Sequence, residues 1–196
     1  MAEVVLFHHV LGLTDGVREF AERLAGGTHR VHTPDLYAGA VASSLEDGFA
    51  IKNDIGDDTV RERTEDALGE LPPELVYAGI SLGVMTAQRL AQTRPGARGA
   101  LLYEACIPIT GEWAFGPWPD SLPVQIHGMD DDEFFAHEGD ADAARELVES
   151  VGSTIGELYT YPGSHHLFVD SSLPSHDADA TALVVERSRA FLDRIG

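Results

Sequence analysis

The sequence predicts an α/β protein: a mostly parallel sheet of about six strands with helices on both faces. Three observations carry that expectation. Short apolar, β-branched runs alternate along the chain with stretches whose apolar residues recur at helical spacing. The strand-like runs lack a polar alternation, as expected when both faces of a sheet are covered. The chain has 196 residues, 43% of them hydrophobic, and shows no internal repeat or low-complexity linker, so residues 1–196 are expected to form a single domain around one substantial core.

The elements follow in order. VVLFHHV (4–10) reads as the first strand. TDGVREFAERLAGG offers Thr14 as a cap, then Val17, Phe20, Ala21 and Leu24 on one helical face, then Gly26 and Gly27 as a stop. HRVHTPD reads as a second strand ended by Pro34, followed by a polar loop. TVRERTEDALGEL (59–71) predicts a helix, ELVYAGI a strand, and LGVMTAQRLAQTR a helix directly after Ser81. Strand GALLYEAC, a long loop, strand PVQIHGM, helix DADAARELVESVG, strand GELYTYPG and a last helix over 178–195 complete the alternation. In parallel sheets of this kind, function gathers in the loops leaving the carboxyl ends of the strands.

Charge and cysteine usage exclude several roles. With 13 Lys and Arg against 33 Asp and Glu, the formal net charge is −20, a field that repels nucleic-acid backbones and anionic membrane surfaces. The single cysteine, Cys106, rules out an internal disulfide and suits a reducing compartment, where it is expected as a small buried hydrophobe. The N-terminus has neither the basic residues nor the apolar run of an export signal, and no stretch reaches the roughly 20 apolar residues of a membrane span. A cytoplasmic protein is expected, with no nucleic-acid or membrane partner.

The chemistry centres on GISLG, residues 79–83. A serine two residues from a glycine on either side, where a strand ends and a helix begins, has the pattern of a nucleophile elbow. The turn is sterically tight, and the helix N-terminus behind it aims amides at a developing oxyanion. A serine hydroxyl needs a base, and the base an orienting carboxylate. In this chain order the acid and then the histidine should follow at later strand ends. PVQIHGMDDDEFF supplies Asp130, Asp131 and Asp132, and YPGSHHLF supplies His165 and His166. Adjacent residues in an extended stretch point oppositely, so only one of the two histidines should reach Ser81. Metal-ligand spacings are absent around the pair, and no metal is expected. The loop CIPITGEWAFGPWPDSLP (106–123) is aromatic and proline-stiffened, and Trp113, Phe115 and Trp118 could wall an acyl pocket or pin the loop to the body.

Together HHVLGLTDGVREFAERLA, HTPDLYAG, GISLG, PVQIHGMDDDEFF and YPGSHHLF resemble the dienelactone hydrolase family of small α/β hydrolases, over about residues 4–195 and without that family's extra N-terminal strands. The resemblance implies a compact α/β-hydrolase fold that cleaves small-molecule esters or lactones through an acyl-enzyme, with no metal or organic cofactor. The family's Tyr-Pro-Gly-x-x-His-x-Phe pattern, laid on Tyr161 and Phe168, implies His166 as the base. Its His-x-x-x-x-Asp-x-Phe pattern, from His127 and Phe134, implies Asp132, whereas a Gly-x-x-Asp template from Gly128 would imply Asp131. The same resemblance implies an oxyanion hole made of the backbone amides of Val10 and Leu82, with Gly12 leaving room for the turn.

Three positions depart from the family pattern. Ser81 stands where the best-known members carry cysteine, and His9 where they carry a glutamate beside the oxyanion loop. Asp170 stands where they carry an arginine that grips a substrate carboxylate. On that basis the site is expected to take a neutral or cationic ester, with His9, Trp113 and Trp118 in contact with substrate. The competing expectations are a ligand-binding protein without catalysis on the same fold, or acyl transfer to an acceptor other than water.

Overall fold

The computed structural model describes residues 1–196. Its centre is a six-stranded sheet in the order β2-β1-β3-β4-β5-β6, and every neighbouring pair is parallel. The elements are β1 (Glu3–Phe7), α1 (Asp15–Ala25), β2 (Arg30–His32), α2 (Leu45–Ile55), α3 (Asp57–Gly69), β3 (Leu75–Ile80) and α4 (Leu82–Thr93). They continue as β4 (Ala97–Tyr103), β5 (Val124–Met129), α5 (Glu133–His137), α6 (Asp140–Val151), β6 (Gly156–Tyr161) and α7 (Ala178–Ile195).

Successive residues of each strand feed opposite layers of core, because strand side chains alternate between faces. Val4 and Leu6 of β1, with Val76, Ala78 and Ile80 of β3, pack under α1 and α7. Val5 and Phe7, with Leu75 and Tyr77, pack under α4 and α6 on the other face. Both layers are apolar, which is why these strands read as unbroken apolar runs.

Three differences from the sequence reading have local causes. The first strand ends at Phe7 rather than Val10, because residues 8–10 turn out of the sheet. The stretch expected as a polar loop contains α2, started by Ser44, whose hydroxyl accepts the Asp47 amide at 3.1 Å. Only Gly48 of α2 is buried, so no apolar stripe betrays it. The short helix α5 is nucleated by Asp132, which accepts the Phe134 amide at 2.9 Å.

Register brings the future site together. Phe7 pairs with Gly79, Ile80 with Tyr103, Tyr103 with His127, and Met129 with Tyr161. The carboxyl ends of β1, β3, β4, β5 and β6 therefore share one rim. The strand order reverses between β1 and β3, the place where open parallel sheets form a crevice.

Candidate active site

Ser81 joins β3 to α4 with φ 49° and ψ −115°, a left-handed conformation that side chains other than glycine rarely hold. Such strain persists only where the surroundings enforce it. The enforcement comes from packing on both sides. A Cβ on Gly79 would lie 2.4 Å from the Gly83 carbonyl oxygen, and one on Gly83 would lie 2.3 Å from that of Phe7. The two glycines of GISLG thus let β3, α4 and β1 approach closely enough to hold the turn.

The side chains meet at the rim. Ser81 Oγ and His166 Nε2 are 2.8 Å apart. His166 Nδ1 stands 2.7 Å from Asp132 Oδ2, while the other carboxylate oxygen of Asp132 takes the Phe134 amide. Asp132 is fully buried and the His166 side chain is only 12% exposed. Burial by itself lowers the His166 pKa, but the Asp132 hydrogen bond and the charges of Glu104 and Asp132 outweigh it, and the net shift is upward. The neighbouring candidates lie elsewhere. Asp130 accepts the Gly163 amide at 3.1 Å, Asp131 pairs at the surface with His137 at 2.9 Å, and His165 is exposed.

The two amides expected to form an oxyanion hole lie on the turns that leave β1 and β3 at this rim. Leu82 opens α4, so its N–H has no carbonyl one turn earlier within the helix. Val10 lies on the turn after β1, and its N–H makes no backbone or side-chain hydrogen bond. Gly12 holds φ 96° on that turn, where a Cβ would strike the Ala40 carbonyl at 2.4 Å. Gly48 likewise lets α2 press on the Val10 carbonyl, which a Cβ there would meet at 2.7 Å.

Of the three expected substrate contacts, two are corrected by burial, His9 and Trp118. His9 is fully buried, with Nε2 2.8 Å from Asp170 Oδ2 and Nδ1 accepting the Leu11 amide at 3.3 Å. It braces the turn carrying Val10 against the segment after His166. Trp118 is buried at 5% exposure and donates from Nε1 to the Leu122 carbonyl at 2.9 Å, which pins the 106–123 loop to the body. Trp113 is 77% exposed on the same loop and is not among the residues lining the cavity next to the elbow. Of those aromatics, Phe115 reaches the cavity next to the elbow.

Asp170 also has a different place from the one its sequence position suggested. It is fully buried and accepts hydrogen bonds from Thr14 Oγ1 at 2.5 Å and Ser172 Oγ at 2.6 Å, besides His9. Burial alone would raise its pKa, yet these donors hold it down at about 2. Gly16 leaves it room, since a Cβ there would overlap Oδ1 at 1.7 Å. Enclosed in this way, Asp170 offers no carboxylate oxygen for direct contact with a substrate.

A cavity of about 500 Å³ adjoins the elbow at Leu82 and Gly83 rather than at the Ser81 hydroxyl. Leu36, Met85 and Phe115 form apolar wall, and Lys52, Arg61 and Arg89 supply positive charge. Lys52 and Arg61 are paired with Asp57 and Asp58, each at 2.8 Å, whereas Arg89 has no ion pair.

Sequence reasoning passed over Glu104, a wholly buried carboxylate 3.9 Å from His166 Nδ1. The signal was present: an acid inside the apolar run GALLYEAC. Glu104, Asp132 and His166 bring ligand atoms within 4.8 Å of one another, but both ring nitrogens of His166 already face protein partners.

An all-parallel sheet in this strand order, with helices on both faces, defines an α/β-hydrolase fold. The sequence profile of the dienelactone hydrolase family matches residues 1–196; the chain belongs to that family and is a hydrolase. Solved structures agree on the fold. A Klebsiella pneumoniae subsp. pneumoniae protein assigned as a dienelactone hydrolase is similar with TM-score 0.75 at 15% identity, over 99% of this chain and 87% of that one. A metagenomic promiscuous phosphotriesterase described as dienelactone hydrolase-like gives 0.73 at 20% identity, over 100% and 87%. A Thermus thermophilus protein gives 0.65 at 16% identity, over 98% and 88%. A search of curated protein sequences finds no match. No helix is long and apolar enough to cross a membrane.

Proposed function

We propose that this chain is a serine hydrolase that cleaves small carboxylic esters or lactones through an acyl-enzyme, with Ser81, His166 and Asp132 as its triad. The observation that carries the reading is the relay from Ser81 Oγ to His166 Nε2 at 2.8 Å and from His166 Nδ1 to Asp132 Oδ2 at 2.7 Å, built on a serine with positive φ. His166 takes the hydroxyl proton as Oγ bonds to the carbonyl carbon, and Asp132 holds the imidazole in orientation. The carbonyl oxygen, now an anion, meets the amides of Leu82 and Val10. Collapse breaks the bond to the leaving oxygen, which receives the proton from His166. Water then repeats the sequence and frees the acid.

The cavity beside Leu82 supports an acyl portion that is apolar near the reacting carbon and anionic at its far end. Arg89 lies seven residues along α4 from Leu82, about 10 Å at 1.5 Å rise per residue. The experiment is covalent labelling by a fluorophosphonate, with the modified residue mapped by mass spectrometry, beside turnover of p-nitrophenyl esters and simple lactones. The expected result is one adduct, on Ser81, with hydrolysis of at least one ester class. Folded protein that takes no label refutes the reading.

A further inference from the structure

Glu104 sits where the chain has no packing reason to place a carboxylate. It follows β4, its side chain is fully buried, and its backbone holds φ 63°. The carboxylate faces the segment that follows His166. Oε2 accepts the Leu167 amide and Oε1 the Val169 amide at 3.4 Å. Leu167 itself holds φ 62°, so a strained residue on the histidine loop is tied to a strained residue at the end of β4. The same Oε2 lies 3.9 Å from His166 Nδ1, the nitrogen that meets Asp132 Oδ2 at 2.7 Å. One imidazole edge therefore faces two buried carboxylates, delivered by two different strand ends.

The charges around this pair can be named. His166 feels Asp132, Glu104 and Asp140, all of which favour the imidazolium. Burial lifts the Glu104 carboxyl to about 7, with the charge of Asp132 adding to the lift, while His166 and the two amides oppose it. A glutamine there could accept only one of the two amides, because its other terminal atom is an NH₂ donor, so a carboxylate is what accepts both. Its charge next to Nδ1 is what a glutamine would lack.

We propose, on the serine-hydrolase reading above, that Glu104 is a positioning residue for His166: it anchors the histidine loop and stands as a second anionic partner for Nδ1, able to take that hydrogen bond when Asp132 is removed. The required shift is about 1 Å, from 3.9 Å to the 2.7 Å of the existing partner.

The test is the rate of fluorophosphonate labelling at Ser81 across pH in the full chain, for Glu104→Gln, Asp132→Asn and the double variant, with circular dichroism as the folding control. Asp132→Asn is expected to stay within about 100-fold of the wild type, against the roughly 10⁴-fold loss of a triad left without its carboxylate. Adding Glu104→Gln should remove about another 100-fold. Glu104→Gln alone should move the acidic limb of the pH profile to lower pH, by less than the roughly one to three units of a full neighbouring charge, because Glu104, lifted to about 7, carries its charge over only part of that range. A purely structural residue would not move that limb.

Two results overturn the inference: a loss near 10⁴-fold in Asp132→Asn that Glu104→Gln does not deepen, or an unmoved limb in Glu104→Gln. Should Glu104→Gln fail to fold, Asp132→Asn decides alone, retention within about 100-fold supporting the proposal and a loss near 10⁴-fold refuting it. Wild-type protein unlabelled at Ser81 sinks the serine-hydrolase reading, and this inference with it. A labelled wild type with uncoupled variants sinks this inference only.

Discussion

Replacing Gly83 by alanine should separate the elbow from the strand it leans on. The added Cβ would lie 2.3 Å from the Phe7 carbonyl oxygen and 2.7 Å from that of His8, with 3.4 Å the onset of ordinary contact. The deficit is therefore about 1 Å, and both obstacles are backbone at the end of β1, where no side chain can rotate away. The start of α4 has to back off from β1 by that amount. Leu82 precedes Gly83 and Val10 follows His8 by two residues, so the spacing of the two amides changes by a similar distance. Overpacking of this kind costs about 1–3 kcal/mol of stability. A displacement near 1 Å at a reacting centre costs about 100-fold in rate. Urea denaturation and kcat/KM on a p-nitrophenyl ester read the two effects. Gly69→Ala is the control: it ends α3, has nothing within 4 Å of its would-be Cβ, and should be neutral or gain roughly 0.5–1 kcal/mol. A Gly83→Ala protein with wild-type stability and wild-type kcat/KM refutes the packing argument for the elbow.

Ser81→Gly removes the Cβ from a left-handed residue and should stabilise the fold by about 1–2 kcal/mol in thermal denaturation while abolishing labelling, the signature of strain kept for function. Asp170 titrates at about 2 when folded, below the roughly 3.9 of an unfolded aspartate, so its contribution is complete above about pH 4 and fades as pH falls toward 2. That contribution is about 2 kcal/mol, and Asp170→Asn should flatten this part of the stability–pH curve; an unchanged slope counts against the assignment. Arg89→Ala should raise KM for esters with a terminal carboxylate about tenfold more than for matched neutral esters, the scale of one lost ion pair in a half-buried setting, and an equal effect on both series refutes the anionic-end reading.

The alternation of apolar runs with amphipathic stretches was enough to specify a layered fold on a mostly parallel sheet, because the burial that stabilises it is written in residue spacing. The helix from Thr14 to Gly26 and the turn at GISLG are cases where cap, stripe and stop are all local. The helix α2 was not legible, since it buries a single glycine and leans on polar capping alone. Its seating over Val10 depends on a contact between residues 38 positions apart in the chain.

By itself, then, the sequence determined the strand and helix order and put a serine, acids and histidines at successive strand ends, all properties of neighbouring residues. Tertiary structure decided which partners meet. Among three adjacent aspartates, Asp132 reaches the imidazole because it caps α5, while Asp130 and Asp131 take the Gly163 amide and His137. Folding also withdrew His9 and Asp170 into one buried pair, turned Trp118 into an anchor, and set Glu104 beside His166 from 62 residues away. Those outcomes depend on distances between segments far apart in the chain, which spacing along a strand or helix does not encode.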